Sequence, residues 1–119
     1  MKKIEAIIRT SKFDEVKEAL HKIDIDFFSY YDATGVGNEI KKGDQSYRGT
    51  LIDTAFIPRR VLTIVVRDVN VRKTVDCLLN TAYTGEIGDG RIFVTPVDEA
   101  WKIRTKASGD DSLKGDYEK

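Results

Sequence analysis

The sequence predicts an α+β protein with a ferredoxin-like βαββαβ sandwich fold, in which two helices lie on one face of a four-stranded antiparallel sheet. Apolar segments of strand length and amphipathic segments of helix length follow each other as strand, helix, strand, twice over. The two halves also resemble each other, because residues 4–9 and 62–67 each end an apolar strand in an arginine that precedes a helix. We expect a single domain over residues 1–105 of the 119-residue chain.

The first half begins with a short apolar run at residues 4–8, which predicts a strand. Ser11 and Asp14 fit the start of a helix, with a capping oxygen and a first-turn acid. An apolar stripe at helical spacing predicts the helix itself: Phe13, Val16, Leu20 and Ile23. An aromatic-rich strand follows at residues 27–31 and ends before Gly35.

A long loop separates this half from the second. Residues 36–56 have no clean period, and a loop of about twenty residues in a compact domain usually has a function or is disordered. A β-branched strand at 61–66 then precedes a helix whose apolar stripe is Val71, Val75, Leu78, Leu79 and Ala82. A glycine-rich loop at 84–91 leads into a last strand at 92–97.

The C-terminal end is predicted to be less regular. After the last strand, Trp101 and Ile103 are expected to extend the sheet. Residues 106–119 are rich in Ser, Gly, Asp and Lys, which predicts a mobile tail. Since the two helices cover only one face of the sheet, we expect the other, partly apolar face to be buried in a closed homo-oligomer.

Composition excludes several classes of function. Twenty Lys and Arg balance twenty Asp and Glu, so the positive charge expected of a nucleic-acid-binding protein is missing. The short apolar run after Met1 predicts neither a signal peptide nor a membrane span, and the single cysteine, Cys77, fits a reducing cytoplasm. Because His21 is the only histidine, no familiar hydrolase triad or histidine-based zinc site can be assembled, and we expect no enzymatic activity.

The glycine-rich loop is the strongest candidate for a binding site. Gly85, Gly88 and Gly90 fall within six residues, and Arg91 follows the last of them. Glycine lets successive backbone N–H groups point into one concavity, which binds anions, and an arginine adds donors that suit phosphate oxygens. From the residues alone, the alternative is a tight turn between a helix and a strand.

Four motifs, in order, resemble those of the PII family of nitrogen-signalling proteins. They are MKKIEAIIR at residues 1–9, YRG at 47–49, TGEIGDGRIF at 84–93 and KIRT at 102–105. The first is similar to the family's first strand, the second to the tip of its T-loop, the third to its B-loop and the fourth to its C-loop. Arg91 stands where the family usually has a lysine.

The resemblance implies a homotrimer that binds ATP or ADP in clefts between subunits. The T-loop would span about residues 36–56, the B-loop 84–91, and the C-loop would begin at 102. The phosphates would be held by Gly88, Asp89, Gly90 and Arg91, with Lys102 and Arg104 reaching them from the other wall. The nucleoside would be surrounded by Ser29, Gly35, Thr63 and Val65. From the residues alone, the favoured interpretation of Lys102 and Arg104 is that they are alternate residues on the solvated face of a strand.

It also implies that Mg-ATP supports the binding of 2-oxoglutarate at Gly37, Glu39, Arg59 and Ile87. Glu39 departs from the family, which normally has a neutral glutamine there as a magnesium ligand. A carboxylate can ligate Mg²⁺, but at ~4 Å and an effective dielectric near 20 it would repel a like charge by about 4 kcal/mol unless the metal offsets this. Glu39 is therefore either a magnesium ligand or a surface charge.

In function, the resemblance implies a non-enzymatic nitrogen and energy sensor in the cytoplasm. Its T-loop would dock on a partner through Tyr47, Arg48 and Gly49, and an ammonium transporter is the first candidate. The tyrosine that many relatives have nucleotidylated is replaced by Ile52, so uridylylation is not expected. The alternatives are a PII paralogue that regulates nitrogenase or a bicarbonate-related process, and a small enzyme with slow ATPase activity.

Overall fold

The computed structural model describes residues 1–35 and 58–115, which form four strands and two α-helices. The order is β1 (Lys2–Arg9), α1 (Phe13–Lys22), β2 (Ser29–Thr34), β3 (Pro58–Val66), α2 (Asp68–Thr81) and β4 (Arg91–Pro96), with 3-10 helices at Thr10–Lys12 and Gly109–Leu113. This confirms the predicted α+β class and the order of its elements. In the described ranges no helix is long and apolar enough to cross a membrane.

The sheet has the order β2-β3-β1-β4, and each neighbouring pair is antiparallel. Alternate side chains of β1, at Ile4, Ala6 and Ile8, are buried opposite Ile64, Leu62 and Arg60 of β3. Both helices pack on this face, where the apolar stripes of α1 and α2 complete one core. The core includes Phe13, Val16, Leu20, Leu78 and Ala82 of the predicted stripes, whereas the predicted core residue Leu79 is 56% exposed and lies outside it.

The opposite face of the sheet is not packed by these helices. Tyr31 and Phe93 lie on it and are 57% and 48% exposed. The alternation of a strand places Glu5 and Ile7 on the same face, between β3 and β4. The predicted one-sided packing of the helices is therefore confirmed, while the homo-oligomer that would cover this face stays a prediction.

The edge strand β2 is joined to its neighbour by a cluster around Arg60. The Arg60 guanidinium donates to the Asp32 carboxylate at 2.7 Å and lies over the rings of Phe13 and Tyr30, at 4.5 and 4.8 Å from their centroids. The hydrogen bond and charge of Arg60 lower the pKa of Asp32. This cluster connects β3, β2 and α1 at one corner of the domain.

The start of α1 differs from the predicted cap. Ser11 lies inside the 3-10 helix Thr10–Lys12, the residue before α1 is Lys12, and no side chain caps the helix. The chain leaves β1 through this tight turn, so that the first helical N–H groups follow a preceding helical turn instead of a serine oxygen. The first-turn acid Asp14 is present as predicted.

The segment after β4 also differs from its prediction. Trp101 forms an isolated bridge with Ser108, and Ile103 is 95% exposed, so neither residue extends the sheet. The chain instead folds back on itself: the Lys102 and Gly109 amides donate to the carbonyls of Ala107 and Ala100. The 3-10 helix Gly109–Leu113 gives part of the predicted tail a regular structure, while its mobility stays a prediction.

Candidate functional site

The glycine-rich loop, residues 84–90, connects α2 to β4 through a backbone that needs glycine. The φ angles of Gly85, Gly88 and Gly90 are 86°, 101° and 108°, in the left-handed region that other residues avoid. A Cβ added at Gly90 would lie 1.7 Å from the backbone oxygen of Ile7. The loop therefore runs directly against the end of β1, which a side chain at position 90 would prevent.

Asp89 holds the two ends of this loop together. Its carboxylate accepts hydrogen bonds from the backbone amides of Thr84 and Gly85, at 2.8 and 2.9 Å, and a short one from the Thr84 hydroxyl. The Thr84 hydroxyl in turn accepts one from the Glu86 amide at 3.1 Å. The first three N–H groups of the loop are thus directed inward, which leaves those of Ile87 and Gly88 outside the Asp89 cluster.

The fourth donor to Asp89 comes from the far end of β1. The Arg9 Nε donates to the Asp89 carboxylate at 3.1 Å, and Arg9 Nη2 donates to the Ile87 carbonyl at 2.8 Å. Sequence reasoning noted Arg9 only as the end of a strand and assigned it no role at the site. Its partners lie about eighty residues away along the chain, so no local spacing could have shown this contact.

Asp89 is ionised under physiological conditions. Burial raises its pKa, but hydrogen bonds from the Thr84 hydroxyl, the Thr84 and Gly85 amides and Arg9 outweigh that effect and hold the pKa well below its usual range. A permanent carboxylate repels phosphate oxygens. The geometry therefore gives Asp89 a part in shaping the loop, and its predicted direct contact with phosphate is untested.

Three arginines lie at this end of the sheet, on the face that the helices leave uncovered. Arg9 is the register partner of Arg59, and Arg91 is the partner of Ile7, two residues before Arg9 on the same face. The Arg9 charge is matched by Asp89 of the loop, and the Arg91 side chain is exposed. The end of the sheet is therefore a cationic surface suited to anions.

Two more of the predicted site residues lie beside these arginines. Gly35 follows the end of β2, and a Cβ at that position would lie 3.5 Å from Cγ of Arg59, which is 7% exposed. Ile87 contributes its carbonyl to Arg9 while its side chain is 47% exposed. The structure therefore places Gly35 beside Arg59, and Ile87 and Asp89 beside Arg9, the register partner of Arg59; their predicted binding roles stay predictions.

The residues expected near the nucleoside lie further along the sheet. Ser29 and Thr63 are direct partners on β2 and β3, and Val65 is two residues beyond Thr63 on the same face. Thr63 is four strand steps from Arg59, a distance of about 13 Å. An elongated ligand lying along β3 could reach both groups.

Lys102 and Arg104 lie in the segment that follows β4. β4 begins beside the loop at Arg91 and ends at Pro96, so both cations follow the opposite end of that strand. The five strand steps from Arg91 to Pro96 span about 17 Å, which is the distance between the two ends of β4. The Lys102 ammonium donates to the carbonyl of Lys114 at 2.6 Å. Both cations lie outside the strands, and not on the strand face that was the alternative.

The remaining predicted site residues lie outside the described ranges. They are Gly37 and Glu39 of the expected effector and magnesium site, and Tyr47, Arg48 and Gly49 of the expected partner site. Among residues 1–35 and 58–115 there is no group of three or more His, Cys, Asp or Glu side chains that could hold a metal ion.

Comparisons with known proteins agree with this sequence and fold. Residues 1–107 match the family model described as "Nitrogen regulatory protein P-II". Proteins of that name from Azospirillum brasilense and Rhodospirillum rubrum are 43% and 42% identical to this chain over 113 residues, which cover 95% of the chain and 100% of each relative. Another, from Pasteurella multocida, is 38% identical with the same coverage.

Proposed function

Because the chain belongs to the nitrogen regulatory protein P-II family, as its motifs predicted, we propose that it is a non-enzymatic signalling protein that binds ATP or ADP between subunits of a homotrimer. The nucleotide state would control the loop at 36–56, which would regulate a target protein. An ammonium transporter is the first candidate for that target. The family supports the regulatory role, and the geometry of the site supports the choice of ligand.

The observation that carries the nucleotide proposal is the cationic end of the uncovered sheet face. A loop with three positive-φ glycines lies there beside the exposed Arg91, and Arg9 holds the loop against the end of β1. Backbone N–H groups and arginine forks are the donors that phosphates prefer, and charge-assisted hydrogen bonds to them are the stronger kind. A polyphosphate supplies the several negative charges that such a surface needs.

The position of Lys102 and Arg104 supports a site shared between two copies of the chain. Both cations follow the end of β4 that lies away from the loop, which favours their reaching the loop of another chain over that of their own. A neighbouring copy packed on the uncovered face could supply them. The same packing would bury Tyr31 and Phe93, which are about half exposed in the single chain.

Magnesium and 2-oxoglutarate are proposed as further ligands at the same end of the sheet. Arg59 would pair with a carboxylate of 2-oxoglutarate next to the Ile87 carbonyl, and Glu39 would either ligate magnesium or disfavour the dicarboxylate by repulsion. Glu39 and Ile52 are also the residues that favour the alternative, a paralogue with a different target such as nitrogenase or a bicarbonate-related process.

Slow ATP hydrolysis is the less favoured function because the described loop offers no suitable base. Asp89 accepts four hydrogen bonds and has a pKa well below its usual range, so it is a weak proton acceptor. Glu86 is the other acid of the loop, and its side chain is exposed. A turnover assay with ATP and Mg²⁺ would test this alternative directly.

Calorimetric titration with ATP and with ADP tests the proposal. Wild type should bind both, whereas Arg91→Ala and Arg104→Ala should bind each of them on the order of tenfold more weakly, because each substitution removes one charged donor. The exposed Arg72, on α2 away from the loop, supplies the control Arg72→Ala, which should bind as wild type does. Unchanged affinity in both Arg91→Ala and Arg104→Ala would contradict the site.

A further inference from the structure

We propose that Arg9 and Asp89 are positioning residues that set the shape of the glycine-rich loop for phosphate without contacting the nucleotide themselves. The proposal rests on nucleotide binding at this loop. It replaces the expectation that Asp89 is a phosphate ligand, and it gives a function to Arg9. We call this pair the Arg9–Asp89 latch.

The latch fixes the loop at two points from outside. Arg9 ends β1, and its guanidinium donates to the Asp89 carboxylate at 3.1 Å and to the Ile87 carbonyl at 2.8 Å. The side chains of Arg9 and Asp89 are only 17% and 25% exposed, so water screens their contact less than it would a surface pair. A planar guanidinium with two acceptors in place defines both distance and orientation.

Asp89 passes this constraint to the start of the loop. Its second oxygen accepts the amides of Thr84 and Gly85, at 2.8 and 2.9 Å, so the first and last parts of the loop converge on one carboxylate. The Gly88 and Gly90 backbones lie between and beside these points with φ of 101° and 108°. The latch thus selects one conformation from the many that a loop with three glycines could adopt.

The charges of the latch argue against direct phosphate contact. The Arg9 charge is matched by Asp89, and two of the Arg9 donors are directed at protein acceptors. The Asp89 carboxylate is held ionised by the four hydrogen bonds and would repel a phosphate. Arg91, whose side chain is exposed, is the better direct ligand.

A double-mutant cycle on ATP affinity separates positioning from contact. Arg9→Gln and Asp89→Asn should each weaken ATP binding on the order of tenfold, because each removes the charge-assisted hydrogen bonds that hold the loop. The double variant should be no weaker than either single variant, since both changes open the same latch. Additive losses, or stronger ATP binding by Asp89→Asn, would overturn the proposal.

Two matched controls isolate geometry from charge. Arg9→Lys keeps the positive charge but not the planar fork, so its affinity should stay close to that of Arg9→Gln; full recovery would show that charge alone matters. Arg72 and Asp76 form a comparable but exposed pair on α2, with 3.2 Å between Nε and Oδ1. Arg72→Gln and Asp76→Asn should leave ATP affinity unchanged.

Amide hydrogen exchange without nucleotide tests the latch independently of the proposed function. The Thr84 and Gly85 amides should exchange at least about tenfold faster in Arg9→Gln and Asp89→Asn than in wild type, with the core amides of β1 and β3 unaffected. If wild type fails to bind ATP, the proposed function is wrong, and exchange still decides whether the latch holds the loop. Unchanged exchange of both amides would overturn the latch.

Discussion

Gly90 is the residue that the fold constrains most tightly at the site. Its backbone φ of 108° is strained for any L side chain, and a Cβ there would lie 1.7 Å from the Ile7 oxygen. That neighbour is backbone of the central strand β1, so it cannot move aside as a flexible side chain would. The sequence predicted this glycine as a phosphate-binding residue, and that role stays a prediction. The structure gives a separate, steric reason why position 90 is a glycine.

We expect Gly90→Ala to lower the free energy of unfolding by about 3 kcal/mol, through backbone strain and displacement of the loop from β1. Gly115→Ala is the matched control, because nothing lies within 4 Å of its added Cβ. It should change stability by less than about 0.5 kcal/mol. Urea unfolding of both variants measures the difference, and equal stabilities would contradict the steric argument.

At the scale of elements, the turn from α1 to β2 shows how the helix ends. The Asp24 and Ile25 amides donate back to the carbonyls of His21 and Leu20, and Asp24 has a φ of 65°. This is the Schellman arrangement, in which a left-handed residue stops the helix and brings Ile25 onto Leu20 in the core. Asp26, just beyond, then contacts the His21 ring.

The pair His21–Asp26 should make stability depend on pH. The Asp26 hydrogen bond, followed by its charge, raises the pKa of His21 above the usual 6.5 in the folded protein. A raised folded-state pKa means that the stabilisation is fully present below pH 6.5 and is lost as pH rises through the folded-state value. Since His21 is the only histidine, its ring signal in an NMR titration reports this pKa without ambiguity.

Asp26→Asn should return the His21 pKa toward 6.5. It should also remove the dependence of the free energy of unfolding on pH that the His21–Asp26 pair causes. Asp111→Asn, which removes a carboxylate from the C-terminal 3-10 helix, is the control and should leave the His21 titration as it is in wild type. The same pKa in Asp26→Asn as in wild type would show that the pair does not persist in solution.

At the scale of the whole molecule, one face of the sheet is not covered by the helices of the same chain. Helices α1 and α2 pack on one side, while Tyr31 and Phe93 remain about half exposed on the other. An apolar surface of this kind usually marks an interface. A closed ring of identical subunits would cover it in each copy and complete the nucleotide site with Lys102 and Arg104.

We expect light scattering to give about three times 13.5 kDa at micromolar concentration. Phe93→Asp should lower this mass and the ATP affinity together, because it places a charge on the proposed interface. Val69→Asp is the control, since Val69 is 78% exposed at the start of α2 and away from the sheet face. A wild-type protein that stays monomeric at all concentrations would contradict the shared site.

Arg48, in the loop at 36–56, is predicted to contact a partner protein. An arginine keeps its charge and five donors at any physiological pH, which suits it to the carbonyl-lined mouth of a channel. Arg48→Ala should therefore bind nucleotide as wild type does but fail to block an ammonium transporter from the same genome. Transport measured with ADP and with Mg-ATP checks this, and equal block by the variant would assign the contact to another residue.

The order of the elements and most of the core could be predicted from the amino-acid sequence, because both depend on local periodicity. The stripes of α1 and α2 pack into the core at the predicted residues except Leu79, which is exposed, and the predicted strands at 4–8 and 61–66 lie within β1 and β3. The glycine-rich loop could also be predicted, because backbone positions with positive φ favour glycine and so show in the sequence. The family followed from motifs in their correct order and is confirmed by the comparisons.

The contacts between distant parts of the chain could be identified only in the folded structure. It paired Arg9 with Asp89, moved Trp101 and Ile103 off the sheet, and joined the Lys102 ammonium to the carbonyl of Lys114. Periodicity reports which face of an element is buried, but not which side chains meet across the domain. Those meetings depend on strand register and loop shape, which form only when the whole sheet is assembled.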